Sequence, residues 1–303
     1  MLETATIRTK SKYSAKPFVK WAGGKTQILN ELIRRLPLHL FYSNKINKYI
    51  EPFVGSGALM FHILNNFNIK EVIISDYNKS LIDLYNTIKS DIYTLINNLK
   101  QIEKEYKNLT EFERKEFYYE KREKFNKTTD TLQKSVLFIF LNRTCFNGLF
   151  RVNSKGEFNV PHGRYKNPKI CDEDNLLNVS KTLQNVTIIY GDFEITKKYI
   201  DKNSFIYLDP PYRPLNNTSN FTSYSSQFDD KEQIRLKNFI DYINKKKAKF
   251  LLSNSDPKNT NPDDNFFDNL YKDYKIERIR AKRMINSNGN KRGEIKEILI
   301  RNY

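Results

Sequence analysis

Short apolar runs that each end at a polar residue are the main pattern along the chain. The first, "KYIEPFVGSG", is closed by two glycines and is followed by "ALMFHILNNF", whose apolar residues have helical spacing. The later runs "EVIISD", "NVTIIYGDF", "FIYLDPPY" and "KFLLSNSD" are each typical of a buried strand with a polar stop. The β-α-β order predicts an α/β fold with a parallel sheet and right-handed crossovers.

The strand pattern is interrupted in the middle of the chain. Residues 86–141 carry apolar positions three and four apart and no strand alternation, which predicts helices. Alternation around "NSKG" then predicts two short strands and a turn, a β-hairpin. We therefore expect one discontinuous α/β domain formed by residues 1–85 and 176–303, with a mostly helical second domain inserted at residues 86–175.

The charge balance indicates the partner. The 303 residues are 39% hydrophobic, enough for a full core, and 52 Lys and Arg against 35 Asp and Glu give a net charge of +17. Such a surplus favours binding to a polyanion, and nucleic acid is the leading one. Lys and Arg concentrate in residues 1–25, 143–169 and 275–301, so we expect these stretches to share a basic cleft.

Other classes of protein are disfavoured. The longest apolar run, residues 136–141, is too short to cross a bilayer, and the N-terminal residues lack the apolar core of a signal peptide. We therefore expect a cytoplasmic protein that does not bind membranes. The two cysteines and three histidines have no disulfide or zinc spacing, so we expect no metal site.

The glycine turn after the first strand is a candidate cofactor site. Gly55 and Gly57 are followed by Asp76 about 20 positions on, as in dinucleotide-binding folds, but the third glycine of that motif is missing. A cofactor with an adenosine and no phosphates remains compatible, with Asp76 on its ribose hydroxyls. S-adenosylmethionine is such a cofactor, and an ordinary strand-to-helix turn is the alternative.

The tetrapeptide Asp209, Pro210, Pro211 and Tyr212 follows a predicted strand at the edge where α/β proteins bind ligands. The carboxylate of Asp209 and the carbonyl of Pro210 can accept the two hydrogens of an exocyclic amine, while Tyr212 stacks on the base. The amine lone pair is then available to attack a methyl group. The alternative is a plain surface turn.

Seven stretches, in this order, resemble the DNA adenine-N6 methyltransferases of the Dam and DpnII type: "PFVKWAGGK", "EPFVGSGA", "SDYN", "LNRTCFNGLFRVNSKGEFNVPHGRY", "GDF", "DPPYRPLNNTSNFTSY" and "LLSNSD". That family uses S-adenosylmethionine and recognises GATC. The resemblance implies a Rossmann-like methyltransferase sheet with an inserted helical target-recognition domain that carries the hairpin.

The resemblance also implies roles for individual residues. Asp76 would take the ribose hydroxyls, Asp192 and Phe193 the adenine of the cofactor, and residues 209–212 a target base flipped out of duplex DNA. Residues 216–226 would close around that base. The implied cofactor residues are Trp21, Ala22, Gly23, Gly24, Lys25, Glu51, Pro52, Phe53, Gly55, Ser56, Gly57, Asp76, Tyr77, Asp192, Phe193 and Asp209.

The central block would read the DNA sequence. Arg151, on the predicted hairpin, would pair with O6 and N7 of a guanine, or alternatively bind a phosphate. Phe146 would fill the gap left by the flipped adenine, and Lys20 would reach the outer guanine. The remaining base contacts are expected from Asn147, Leu149, Pro161 and Tyr165.

Two other functions remain open at this point. A cytosine-N4 methyltransferase would use the same chemistry, although that class more often has Ser in place of Asp209. A non-catalytic nucleic-acid-binding protein would explain the charge but not the carboxylates at two strand ends. The resemblance also favours the modification enzyme of a restriction-modification system, with an endonuclease encoded nearby and no stable complex.

Overall fold

A computed structural model describes residues 14–21, 23–213, 228–282 and 294–303. They contain a seven-stranded sheet in the order β3-β2-β1-β4-β5-β7-β6. Its strands are β1 (Lys45–Glu51), β2 (Asn68–Asp76), β3 (Val186–Tyr190), β4 (Ser204–Leu208), β5 (Lys249–Ser255), β6 (Lys275–Lys282) and β7 (Glu294–Arg301). The first five are parallel, and β7 runs antiparallel between β5 and β6. The predicted α/β class is confirmed.

Ten helices surround or extend this sheet in the described residues. They are α1 (Leu29–Ile33), α2 (Leu38–Ser43), α3 (Ala58–Asn66), α4 (Lys79–Ser90), α5 (Ile92–Asn108), α6 (Glu111–Lys127), α7 (Thr131–Thr144), α8 (Glu173–Leu183), α9 (Asp230–Lys245) and α10 (Phe266–Leu270). Side-chain caps mark the first turn of several of these helices. Asn78 caps α4, and Thr110 with Glu113 forms a capping box at the start of α6.

Alternate side chains of the strands point to opposite faces, so the sheet has one hydrophobic cluster on each side. On β2, Ile74 belongs to one cluster and Ile73 to the other. The first cluster continues into the central helices, through Leu99 of α5 and Phe140 of α7, and the second is covered by α9. The predicted boundaries at residues 86 and 175 lie within α4 and α8.

The predicted hairpin forms with less regular pairing than the sequence indicates. Val152 and Phe158 form an isolated antiparallel bridge rather than two continuous strands. The side chain of Asn153 accepts hydrogen bonds from the backbone N–H groups of Lys155 and Glu157. Such side-chain bonds tighten the turn but compete with a regular ladder, which explains the short pairing.

Strands β6 and β7 were not predicted, because the basic residues of 275–301 were interpreted as binding surface. Some of these basic residues form ion pairs within the fold. Arg278 lies 2.8 Å from Asp256 and 2.7 Å from Asp268, and Arg301 bonds to Glu277. These pairs neutralise part of the charge that the sequence suggested for nucleic acid. Within the described ranges, no helix is long and apolar enough to cross a membrane.

Candidate active site

One cavity of about 430 Å³ opens where β1, β2 and β4 end at the same edge of the sheet. It brings together most of the predicted cofactor residues and all four residues of the predicted catalytic segment. They are Trp21, Gly23, Gly24, Lys25, Glu51, Pro52, Phe53, Gly55, Ser56, Asp76, Tyr77, Asp192, Phe193, Asp209, Pro210, Pro211 and Tyr212. Ala22 lies outside the described residues.

The turn after β1 requires its two glycines. Gly55 and Gly57 have φ values of +48° and +70°, which favour glycine. A Cβ on Gly55 would lie 2.8 Å from Cδ1 of Trp21, and one on Gly57 would lie 2.7 Å from Cε of Met60 and 2.9 Å from the hydroxyl of Tyr85. Gly57 therefore leaves room for Met60 and Tyr85 to pack against the turn, and Gly55 leaves room for the ring of Trp21.

Asp76 ends β2 and holds this turn in place. Its Oδ2 accepts a hydrogen bond of 3.0 Å from the backbone N–H of Gly55, and its Oδ1 accepts one of 2.9 Å from the N–H of Asn78. Each carboxylate oxygen keeps acceptor capacity for a further donor. Burial raises the pKa of Asp76 to about 6, although these backbone donors oppose the shift.

Trp21 connects the cavity to the central block of the sequence. Its ring stacks on Phe150 at 5.5 Å between centroids and on Phe138 at 6.4 Å. Phe150 also lines the cavity, a role that was not predicted from the sequence. The predicted cofactor site and the predicted DNA-reading block therefore share one aromatic stack.

At another part of the cavity, Asp192 forms a bidentate pair with Arg235 of α9. The guanidinium nitrogens Nη1 and Nη2 lie 2.9 and 2.7 Å from the two carboxylate oxygens, and the guanidinium carbon lies 4.2 Å from the ring centroid of Phe193. Burial alone would raise the pKa of Asp192, but the bonds from Arg235 outweigh it and lower that pKa. Arg235 has no sequence signal, because it approaches from a distant helix.

The predicted catalytic carboxylate is held by two partners. Oδ1 of Asp209 lies 3.2 Å from Nζ of Lys25 and accepts a hydrogen bond of 3.1 Å from the hydroxyl of Ser253 on β5. Burial raises the pKa of Asp209 to about 6, the charge of Lys25 opposes the rise, and the negative charge of Glu297 adds to it. Ser253 lies in the quoted "LLSNSD" stretch but was given no role.

Lys25 also contacts two further groups. Its buried ammonium donates a 3.0 Å hydrogen bond to Oε2 of Glu297 and another to the hydroxyl of Tyr212, which in turn donates to Oε1 of Glu297 at 3.2 Å. Burial lowers the pKa of Lys25, but Asp209, Tyr212 and Glu297 outweigh it, so the net shift is upward. Glu297 was not predicted from the sequence, because strand β7 itself was not predicted.

The predicted base-reading residues near position 146 form a compact turn, the 3₁₀ segment Phe146–Gly148. Phe146 keeps 47% of its surface exposed, and its N–H donates to the carbonyl of Pro161 at 2.8 Å. Asn147 has a φ of +55°, and a Cβ on Gly148 would lie 2.3 Å from Cδ of Lys20. Because Gly148 has no side chain, Lys20 can pack directly against this turn.

Two more predicted DNA contacts lie beside this turn. Nζ of Lys20 lies 5.0 Å from the ring centroid of Tyr165, and both line a recess of about 240 Å³ with Arg143, Lys166 and Lys169. Leu149 is partly buried against the core. The basic stretches 1–25 and 143–169 thus meet here.

Arg151 lies on the hairpin, where Asn159 orients it. The Nε of Arg151 donates a hydrogen bond of 2.7 Å to Oδ1 of Asn159, and Nη2 donates to the backbone carbonyl of the same residue at 3.4 Å. The side chain is therefore fixed by its neighbour across the hairpin before any ligand binds.

Comparison with known proteins identifies the family. Residues 21–285 match the family model described as D12 class N6 adenine-specific DNA methyltransferase. The chain is 54% identical over 293 residues to the type II methyltransferase M.MjaIII of Methanocaldococcus jannaschii, covering 95% of this chain and 99% of that one.

DNA adenine methylases are similar along nearly the whole chain as well. The one from Haemophilus influenzae is 36% identical, covering 99% of this chain and 98% of its own, and the one from Escherichia coli is 34% identical, covering 94% of each. The cavity with Asp209 at the end of β4 is thus found in a chain with a full-length match to known methyltransferases. The chain belongs to the D12 class of N6 adenine-specific DNA methyltransferases.

Proposed function

We propose that this protein transfers a methyl group from S-adenosylmethionine to N6 of adenine in GATC, after the adenine has been flipped out of duplex DNA. The observation that carries the proposal is the position of residues 209–212, which line the same cavity as the glycine turn and Asp76. A candidate cofactor site and a candidate base site thus adjoin at one sheet edge.

The cavity fits S-adenosylmethionine chemically. Five acidic side chains, those of Glu51, Asp76, Asp192, Asp209 and Glu232, line it with two cationic side chains, which suits a cofactor with a sulfonium and an amino group. Asp76 is the candidate for the ribose hydroxyls, because its oxygens keep acceptor capacity beyond the bonds to Gly55 and Asn78. Phe53 and Phe193, whose ring centroids lie 5.3 Å apart, offer apolar surface for the adenine.

The bond between Asp192 and Arg235 bears on the adenine site. Both carboxylate oxygens of Asp192 already accept from Arg235, so an adenine amine would share this carboxylate with the guanidinium or displace it. We propose that Asp192 and Phe193 bind the adenine with Arg235 as a third member of the site.

S-adenosylmethionine supplies a methyl group on a cationic sulfur. Our proposal for the protein residues is that Asp209 and the carbonyl of Pro210 accept the two amine hydrogens of the target adenine. This arrangement withdraws the nitrogen lone pair from the ring and directs it outward. The carboxylate of Asp209 then stabilises the positive charge that develops on the nitrogen, and Tyr212 stacks on the base.

Base flipping is supported by the exposure of Phe146, which a 3₁₀ turn holds away from the core. An aromatic ring in that position can fill the space that an extruded base leaves in the stack. Residues 216–226, proposed to close around the base, lie outside the described residues.

For sequence reading, we propose that Arg151 pairs with a guanine of GATC and that Lys20, beside Tyr165, reaches the outer guanine. Asn147, Leu149, Pro161 and Tyr165 would supply the other base contacts. Residues 86–175 would then be the target-recognition domain, carried by the helices that pack on one face of the sheet.

We also propose that the protein is the modification enzyme of a restriction-modification system. Support comes from the relative named a type II methyltransferase, whose 54% identity covers almost the whole chain. A methyltransferase that acts alone or belongs to a mobile element is the alternative. The genes that neighbour this one decide the question, since a restriction endonuclease should be encoded there.

Methyl transfer to defined duplexes tests the specificity. We expect tritium from labelled S-adenosylmethionine to enter a duplex with one GATC site and to appear in N6-methyladenine after digestion to nucleosides. Four matched duplexes, each with one base pair of the site replaced, should accept about 5- to 150-fold less, because each wrong pair costs about 1 to 3 kcal/mol. Equal labelling of all five duplexes would contradict the GATC proposal, and label in cytosine would contradict the proposed target base.

A further inference from the structure

Glu297 lies in the middle of β7, and its side chain reaches the site from this antiparallel strand. Because β7 returns antiparallel beside β5, Glu297 is opposite Ser255 and two residues along the neighbouring strand from Ser253. Its side chain is 9% exposed and bonds to both Lys25 and Tyr212. The two bonds fix the position of this buried carboxylate. The proposed function assigns it no role.

The charges of this cluster do not balance. The single ammonium of Lys25 lies 3.0 Å from Glu297 and 3.2 Å from Asp209, so two carboxylates share one cation. A buried ion pair of Lys25 with Asp209 alone would offset most of the negative charge of that carboxylate. With Glu297 present, the cluster keeps a net negative charge beside the place where the amine of the substrate becomes cationic.

The second partner of Glu297 is the aromatic residue of the catalytic segment. The hydroxyl of Tyr212 donates to Oε1 of Glu297 at 3.2 Å, while Lys25 bonds to Oε2 and lies 4.6 Å from the centroid of the Tyr212 ring. Each oxygen of Glu297 thus fixes one neighbour. The carboxylate connects β7 to the ring that would stack on the flipped base.

We propose that Glu297 is a positioning residue for methyl transfer: it shares Lys25 with Asp209, so that the cluster keeps a net negative charge beside the reacting amine once Asp209 is ionised, and it orients the ring of Tyr212. The inference rests on the proposed function of residues 209–212 and adds a residue from a strand outside the family motifs quoted above. Glu297 itself contacts neither the reacting amine nor the methyl group and acts through Lys25, Asp209 and Tyr212.

The acidity of Asp209 gives this role a specific signature. The groups around Asp209 are Lys25 from the segment before α1, Ser253 from β5, Tyr207 from β4, Glu51 from β1, and Tyr212 with Glu297. Among these, the charge of Glu297 raises the pKa of Asp209 and that of Lys25 lowers it. Neutralising Glu297 should therefore lower the pKa of Asp209 and move the acidic limb of activity to lower pH.

The test compares Glu297→Gln with the wild type in single-turnover methyl transfer to a GATC duplex between pH 5 and pH 8. We expect the plateau rate to fall about 10- to 100-fold, because the Gln amide carries no charge and has only one acceptor oxygen for Lys25 and Tyr212. The midpoint of the acidic limb should also move to lower pH. The control is Glu277→Gln on β6, which removes the ion pairs to Arg35 and Arg301 but leaves the cluster intact, and it should keep the wild-type rate and midpoint.

A wild-type rate for Glu297→Gln would overturn the inference. A slower rate with an unchanged midpoint and a matching loss of thermal stability would also overturn it, since a purely structural role predicts that result. If Glu297→Gln does not fold, Glu297→Asp serves instead, with a reduced rate and the wild-type midpoint expected because the charge remains; a wild-type rate in that variant contradicts the role. Failure of the proposed function is separate, because the wild-type protein would then leave the GATC duplex unmethylated.

Discussion

Individual residues of the site carry charge states that depend on their burial. Asp209 and Asp76 both have a pKa raised to about 6, mainly because burial disfavours the carboxylate. The proposed roles require both carboxylates in the ionised form, one to accept amine hydrogens and one to accept ribose hydroxyls. A buried acid with a raised pKa is ionised above that pKa and loses its charge as the pH falls through it.

Activity should therefore fall on the acidic side. We expect kcat/KM for methyl transfer to be constant at mildly alkaline pH and to decrease as the pH falls through about 6, since this parameter reports the free protein. The check is a series of initial rates in buffers of constant ionic strength, with folding followed by circular dichroism at each pH. Full activity at pH 4.5 in a folded protein would contradict the requirement for an ionised Asp209 with a pKa of about 6.

Arg151 allows a second test at this scale. Arg151→Ala should cost about 1 to 3 kcal/mol on the GATC duplex and relax discrimination at one guanine, because a bidentate base contact is lost. Measuring binding to GATC and to duplexes with each guanine replaced distinguishes this role from a phosphate contact. A uniform loss across all duplexes would assign Arg151 to the backbone instead.

Among the elements, the turn between β1 and α3 depends most strictly on sequence. Its glycines were recognised from the "GSG" spacing alone, and the structure explains them by positive φ values and by contacts with Trp21, Met60 and Tyr85. Local chemistry of this kind is visible in a sequence because it needs a particular residue at a particular place.

Gly57→Ala should therefore destabilise the protein more than a glycine replacement without crowding. The left-handed backbone costs about 1 to 3 kcal/mol for alanine, and the hydroxyl of Tyr85, bonded to the carbonyl of Gly55 at 3.0 Å, leaves little room. The matched control is Gly156→Ala, where φ is +79° but nothing lies within 4 Å of the added Cβ. Equal losses of unfolding free energy in the two variants would show that the crowding at Gly57 has no effect.

Other elements could not be predicted because their partners are distant in sequence. Strands β6 and β7 alternate charged and apolar residues, but the acids that neutralise Arg278 and Arg301 come from positions 256, 268 and 277. The same holds for Glu297 and Arg235, whose partners Lys25 and Asp192 are brought close only by the sheet and α9. A motif identifies one member of such a pair, and tertiary structure supplies the other.

On the scale of the whole molecule, a basic surface and an acidic cavity lie next to each other. The net charge is +17, and basic residues from two distant stretches meet in the recess beside Tyr165, close to the turn that presents Phe146. The acidic cavity at the sheet edge is lined by Trp21, which follows Lys20 directly in the chain. Under the proposed function, DNA and the cationic S-adenosylmethionine would be attracted to adjoining surfaces.

Salt dependence should show which basic residues contact the DNA backbone. Lys166, an exposed lysine of the recess, is expected to bind a phosphate. Lys166→Ala should weaken binding to GATC and unrelated duplexes alike and flatten the slope of log K against log salt by about one unit. A loss confined to GATC duplexes would instead make Lys166 a base-reading residue.

The most direct test of the central claim is single-turnover methyl transfer by Asp209→Ala, with S-adenosylmethionine binding measured on the same sample by calorimetry. Asp209 is proposed to polarise the target amine and to stabilise its positive charge, so the rate should fall by at least about 100-fold, while cofactor binding through the glycine turn and Asp76 is largely kept. A variant that methylates GATC at the wild-type rate would contradict the assignment of the reaction to the end of β4.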